Sequence, residues 1–415
     1  MRLVTVRPVA TAEESFNPFD AEQVQHAWPL LAELRANGPV ASISGGMHYV
    51  TRHAECQAVL RDATSFSNAS GMKEPGVEVP LEDRVLGELD PPLHTPVRRV
   101  MVTALTPRVV HAAEPFMRET ADHLLDAIPV PGAADLVSAF TGPLPNIVTV
   151  YLLGFPPQDA GQIAAWTKEL MESGFPRTNR TERGVGFENA FPEFVAYIDE
   201  RIDEREGAAS HGDEATDVVS KLVALEVEGK RLTRRQVRAL TRNLITGGFT
   251  TTSQLIGNLL HQILTSPEVD TAIRIDPATL GRAIEESLRL SPPILFLARG
   301  CVLDTTIAGD VPVHAGERVI VGSASANRDE QLFGDADTFD VGRENAEQHL
   351  TFGYGAHVCP GAALARAEAR IAVMAFLERF PPGSIRLADG FEFVNVPTFF
   401  EVGPRELPVE TVGVL

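Results

Sequence analysis

Cysteine is nearly absent from this chain. Cys56, Cys301 and Cys359 are the only three among 415 residues. Odd in number and far apart, they argue against a disulfide framework and fit a reducing cytosol. Positive charge is also short, since 36 Lys and Arg against 56 Asp and Glu leave a formal net charge of -20. Phosphate binding rewards clustered Lys and Arg, so nucleic acid and anionic membrane are not expected partners. No apolar run approaches a membrane span. The opening MRLVTVRPVA is broken by Arg7 and Pro8 and lacks the apolar core of a secretory signal. Repeats, low-complexity tracts and a clear interdomain linker are missing too. These absences together predict one cytoplasmic globular domain.

What is present is core-forming material, 44% hydrophobic residues, arranged mainly with helical period. Helices are predicted at approximately 93–105, 108–127, 141–153, 158–173, 187–206, 233–265, 277–291 and 362–380, with short strands near 39–51, 294–320 and 384–412. Thr233 and Gln236 form the signature of a capping box, and no proline follows until Pro267. The resulting helix of about thirty-three residues would span ~50 Å and is expected to be central. In its middle, Thr246-Gly247-Gly248-Phe249-Thr250-Thr251-Thr252 is poor helix material, each Gly costing ~1 kcal/mol relative to Ala. Two readings explain the glycines: close packing of a neighbouring helix, or a groove widened for a small ligand.

The run Phe352-Gly353-Tyr354-Gly355-Ala356-His357-Val358-Cys359-Pro360-Gly361 precedes a helical stretch from Ala362 to Phe380. Its glycines let the chain fold tightly around a sulfur with backbone N–H groups aimed at it. The partial positive charge of a helix N-terminus just beyond Cys359 favours a thiolate. A buried, inert thiol is the ordinary state of a lone cysteine. Zinc is disfavoured because no paired CxxC or HxxxH accompanies Cys359, and His349 and His357 alone are an incomplete set. A dinucleotide loop is disfavoured because the third glycine and the ribose-binding acid are missing. Such a sulfur is suited to iron.

Taken whole, this loop matches the FxxGxxxCxG pattern, and the sequence resembles the cytochrome P450 family. Further segments match in the expected order. Leu89-Asp90-Pro91-Pro92-Leu93-His94-Thr95-Pro96-Val97-Arg98-Arg99 resembles the family's helix that supplies His94 and Arg98 to the haem propionates. Glu286-Ser287-Leu288-Arg289 looks like its ExxR pair, and Arg299 occupies its next propionate-binding position. Ala326-Asn327-Arg328-Asp329 through Phe339-Asp340-Val341-Gly342-Arg343 resembles the meander that leads to the thiolate loop. Alone, each piece has an ordinary reading. A Glu-x-x-Arg pair, for example, is usually a solvated contact worth ~0.2–0.5 kcal/mol.

The resemblance implies a mainly α fold with small β-sheets, a single-domain triangular prism around a buried haem b. It covers residues 16–412, with 1–15 as an N-terminal extension. It assigns Cys359 to the iron, His94, Arg98, Arg299 and His357 to the propionates, and Glu286 and Arg289 to the structural pair. On the long helix, Leu244, Gly247, Gly248, Thr251 and Leu255 share one face by i,i+3/i+4 spacing, and the resemblance turns that face to the distal side of the haem. Thr251 matches the oxygen-activating alcohol, whereas Thr250 stands where an Asp or Glu is usual. The substrate pocket is expected from loop 66–88, region 170–191, residues 294–298 and turn 397–400. Phe175, Phe187, Ile294, Leu295, Phe296, Phe399 and Phe400 make these segments largely apolar.

The implied activity is insertion of one oxygen atom from dioxygen, the co-substrate, into a small apolar molecule such as a terpenoid, fatty acid, steroid or aromatic. No reductase is expected within the matched chain. Electrons are therefore expected from a ferredoxin and an NAD(P)H-dependent ferredoxin reductase, serving a monomer. Two alternatives stay open: a peroxide-driven peroxygenase, suggested by Thr250, and a non-catalytic haem-thiolate sensor. If Cys359 is the axial ligand, Cys359→Ala should abolish the reduced carbon monoxide spectrum of thiolate-bound haem. Retention of that spectrum would refute the assignment.

Overall fold

The computed structural model describes residues 16–69, 79–171, 187–211 and 217–413. The expected extension 1–15, Phe175 and part of the loop 66–88 lie outside the described residues. The long helix forms as expected, Arg234–Thr265, 32 residues. Its capping box closes in both directions: Thr233 N donates to Gln236 Oε1 at 2.8 Å and Gln236 N to Thr233 Oγ1 at 3.3 Å. Leu255, Ile256, Leu259 and Leu260 enter one core cluster with Met117, Leu125 and Phe376. Leu240, Ile245 and Phe249 enter a second with Phe194 and Ile198. Burial on both sides is what makes this helix central.

Pro107–Asp126, Pro143–Leu152, Pro192–Ser210, Thr279–Leu290 and Ala362–Arg379 are among the other helices. Helical period misses Ala27–Asn37, His53–Arg61, Val218–Ala224 and Pro267–Ile275. Pro267 marks a stop in the sequence, and in the structure it follows the end of one helix and opens the next, because its missing N–H costs nothing in the first turn.

The strands gather in small sheets. The largest has the order Val40–Ile43, Met47–Val50, Arg318–Val321, Leu297–Cys301, Phe66–Ser67. Its Met47–Val50 and Arg318–Val321 pair is parallel, the others antiparallel. A second sheet joins Ile385–Leu387, Pro408–Thr411 and Gly132–Asp135. Among the described residues no helix is long and apolar enough to cross a membrane.

The Glu286 and Arg289 pair is the opposite of a solvated contact, since both side chains are 0% exposed. Arg289 Nε and Nη2 donate to the two Glu286 oxygens at 2.7 and 2.8 Å. Nη1 reaches the carbonyls of Asn327 and Ala336 at 2.9 and 2.7 Å. Glu286 Oε1 also accepts from Arg343 Nε and from Asp340 N, both at 3.0 Å. Removing one partner strands a buried charge. Glu286→Ala should therefore cost roughly 3–5 kcal/mol in urea unfolding, whereas a loss under ~1 kcal/mol is what an exposed pair would give.

Candidate haem-thiolate site

The loop Phe352 to Gly361 closes on itself, with Cys359 N donating to the Phe352 carbonyl at 2.7 Å. Gly353 and Gly355 have φ of +72° and +74°, backbone that side chains other than glycine rarely adopt, and a Cβ on Gly355 would lie 3.0 Å from the Leu60 carbonyl. The helix Ala362–Arg379 begins just past Cys359 and Pro360, so the N–H groups of Gly361 and Ala362 point at the sulfur. Cys359 borders a cavity and is reachable from inside it, yet its sulfur lies deep in the molecule. Burial raises the thiol pKa. The Gly361 and Ala362 N–H groups and the charges of Arg98 and Arg366 pull the other way.

Beside the sulfur, the structure brings His94, Arg98, Arg299 and His357 together. The two imidazoles face each other with ring centroids 4.0 Å apart, and Arg98 Nη2 donates to the Val358 carbonyl at 2.6 Å. Burial, then the neighbouring His94 and Arg299, push the His357 pKa down to about 3. Burial takes Arg299 down to about 10, with Asp90 opposing. Asp90 is the anion that acts on this cluster, but it already accepts from Ser67 Oγ and Asn68 N. His94 is buried and its Nε2 has no hydrogen-bond partner. The cluster thus presents donors and positive charge in search of an anion, which fits a pair of propionates above a sulfur able to ligate iron.

The cavity between these groups and the central helix measures about 350 Å³. Leu244, Gly247, Gly248, Thr251 and Ile294 border it, as do Cys359, Arg98 and His357. The two glycines differ. A Cβ on Gly248 would meet Thr149 Oγ1 at 2.5 Å, so this glycine admits the neighbouring helix, whereas a Cβ on Gly247 would meet nothing within 4 Å. Both readings of the glycines therefore hold, one at each residue. Thr251 donates to the Gly247 carbonyl at 2.8 Å within the helix.

Thr250 faces away from the cavity; its hydroxyl donates to Glu401 Oε1 at 2.5 Å, because adjacent helical positions are turned by about 100°. Several pocket expectations are corrected. Leu295, Phe296 and Phe400 are 3%, 1% and 6% exposed and belong to a core cluster with Tyr49. Phe399 packs on the same cluster, its ring 5.5 Å from Phe19. Side chains alternate along extended chain, so Ile294 turns to the cavity and Leu295 to the core. Phe187 is core as well. Met101, Leu105 and Leu297 line the cavity and escape sequence reasoning, since a single apolar residue on a helix or strand carries no mark of which space it faces. Glu368 escapes it too: it is 1% exposed, neither carboxyl oxygen has a partner, and burial raises its pKa well above the ordinary value. Its signal is an acid set between Ala367 and Ala369 on a helix rich in alanine.

The family model for Cytochrome P450 matches residues 30–277 and 278–384. This chain belongs to the cytochrome P450 family. Erythromycin C-12 hydroxylase of Saccharopolyspora erythraea is 32% identical over 381 residues, 91% of this chain and 93% of that protein. The cytochrome P450 monooxygenase PikC of Streptomyces venezuelae is 32% identical, covering 92% of this chain and 90% of that protein. A solved cytochrome P450 from Chondromyces apiculatus superposes with a TM-score of 0.82 at 30% identity, over 97% of this chain and 99% of that one. The P450 fold, mostly helical with small sheets, and membership of a class of haem-iron monooxygenases are therefore established for this chain.

In this P450 the Cys359 loop is braced from behind. Arg366 lies over the Phe352 ring at 4.6 Å and donates to both oxygens of Glu285 at 2.6 and 2.8 Å, while His349 Nε2 sits 3.3 Å from the same carboxylate. Burial raises the Glu285 pKa, but these partners outweigh it and take the value from the ordinary 4.5 down to about 2. A depressed carboxylate pKa stabilises the fold above the unfolded value, and that contribution is lost as pH falls towards the folded one. Thermal melts between pH 4.5 and 2 should therefore show wild type losing more stability than Glu285→Gln. Parallel losses in the two proteins would contradict the brace.

Proposed function

We propose that residues 16–412 form one haem b domain that inserts an oxygen atom from dioxygen into a small apolar organic molecule, with Cys359 as axial ligand. The observation that carries this reading is the pairing of a nested sulfur with an anion-seeking cluster at one apolar cavity. In this reading His94, Arg98, Arg299 and His357 hold the propionates by charge-assisted hydrogen bonds. When bound, haem supplies dioxygen activation, which thiolate ligation favours by pushing electron density towards O–O cleavage.

The chain's own residues do the rest. Arg98 ties the propionate cluster to the thiolate loop through the Val358 carbonyl. Leu244, Ile294 and Leu297 keep the cavity apolar, which excludes competing water and selects an apolar substrate. Thr251 Oγ1 holds a proton at the cavity wall and hands it on, with Gly247 O as its resting acceptor. Electrons come from a ferredoxin and its NAD(P)H-dependent reductase, and the protein works as a cytoplasmic monomer. One related hydroxylase is named for erythromycin, and one solved relative is in complex with a hexadecenoic acid ligated to acyl carrier protein. The acyl chain of the second is a precedent for an apolar substrate. A peroxide-driven reaction is the second reading, favoured by the alcohol at position 250 in place of an acid.

Product analysis with a substrate panel decides between them. Turnover is expected with ferredoxin, reductase and NAD(P)H, whereas turnover with peroxide alone would favour the second reading, and tight binding without any product would indicate a sensor. Thr251→Ala should divert reducing equivalents into hydrogen peroxide while leaving substrate affinity nearly intact. Loss of a proton-transfer group typically costs ~100- to 10,000-fold, less where water substitutes. Unchanged coupling in Thr251→Ala would remove Thr251 from the mechanism.

A further inference from the structure

Along the flank of the central helix lies a cleft of about 480 Å³ whose wall includes both Thr250 and Glu401. Glu401 arrives from 151 residues away in sequence to accept the Thr250 hydroxyl at 2.5 Å. Its backbone is fixed, with N donating to Thr398 Oγ1 at 3.0 Å and a β-bridge to Ile294. The residue is 2% exposed. The side chain at position 250 is thus an alcohol, but a carboxyl group stands directly against it. An alcohol alone neither gains nor loses a proton at neutral pH. An alcohol hydrogen-bonded to a carboxyl can pass one through.

We propose that Glu401 is the proton-delivery residue of this P450, acting through Thr250 as a positioning residue. This rests on the oxygen-insertion reading above, because only dioxygen reduction consumes the proton. The step balances without electrons. At rest Thr250 donates to Glu401; once the Glu401 carboxylate takes a proton from water in the cleft the bond reverses, Glu401 gives that proton to Thr250 Oγ1, and Thr250 releases its own through water towards Thr251, which returns Glu401 to the carboxylate. Asp135, Lys168, Arg405 and Glu406 face the same cleft. Asp135, although burial raises its pKa, is held below the ordinary value by the Leu407, Ser138 and Val137 N–H groups, so it stays a carboxylate and is not the donor. Lys168 and Arg405 bring positive charge to the same cleft.

A merely structural Glu401 would clip the 394–405 turn to the helix, and Glu401→Gln separates the two roles. The glutamine oxygen still accepts from Thr250, but the side chain carries no exchangeable acid proton. Expected results for Glu401→Gln are an unchanged melting temperature and haem spectrum, a loss of coupled product of roughly tenfold to a hundredfold, and a larger solvent isotope effect. Thr250→Val, which breaks the link while leaving the carboxyl, should show the same loss, and Thr250→Asp should restore coupling in the Glu401→Gln background. In the infrared, wild type should show a deuterium-sensitive, pH-titrating carboxyl band that vanishes in Glu401→Gln. Absence of that band, or full coupling with a normal isotope effect in both variants of an active enzyme, overturns the relay alone. A wild-type protein that forms no product with any electron source overturns the oxygen-insertion reading, and the relay with it.

Discussion

A guanidinium lies fully buried at Arg289, and much of the site hangs on how it is satisfied. Its partners come from Glu286 and from the carbonyls of Asn327, Ala336 and Thr338. These bonds fasten the irregular segment 327–343 to the helix Thr279–Leu290. Asn327 then carries the constraint onwards, its Oδ1 accepting from Leu350 N at 2.7 Å and its Nδ2 donating to Thr351 Oγ1 at 2.8 Å. The next residue is Phe352, where the Cys359 loop starts. Glu285, one position before Glu286, grips Arg366 on the loop's far side. Two adjacent acids on one helix thus fix both ends of the segment that holds Cys359.

Charge inside the site is unbalanced. Arg98, Arg299 and two imidazoles converge where Asp90 opposes them, and burial depresses the pKa of both histidines. Such a cluster repels itself until an anion arrives, so a bound dianionic group should stabilise the fold through linkage. The sulfur meets the reverse condition, with N–H dipoles and arginine charge directed at an atom that burial would otherwise keep neutral. Positive charge therefore lies against both the Cys359 sulfur and the imidazole pair, while the central helix leaves its wall of the cavity largely apolar.

Helix packing explains why the central helix tolerates its glycines. Gly248 lets Pro143–Leu152 approach until Thr149 fills the space of a side chain, and Gly257 does the same for Pro404, which would lie 2.9 Å from an added Cβ. Gly247 keeps an open face. The helix is held closely beside the cavity and relaxed at the position where a ligand needs room.

Local and contiguous features were legible in the sequence. The capping box at Thr233 and Gln236, the length of the central helix, the glycine loop around Cys359 and the Glu-x-x-Arg spacing all depend on residues close to one another along the chain, and backbone geometry converts such spacing into structure directly. Whether Glu286 and Arg289 were solvated or buried was beyond that spacing, because burial depends on segment 327–343 folding over them. The same limit applies to the aromatic residues assigned to the pocket: hydrophobicity marked Leu295, Phe296, Phe399 and Phe400 as unsuited to water, but core and cavity are equally dry, and only the packing of Phe19 and Tyr49 into the same cluster decided for the core. The contact between Thr250 and Glu401 joins residues 151 positions apart. Sequence could show that position 250 lacks an acid, and only the tertiary fold could bring one to it.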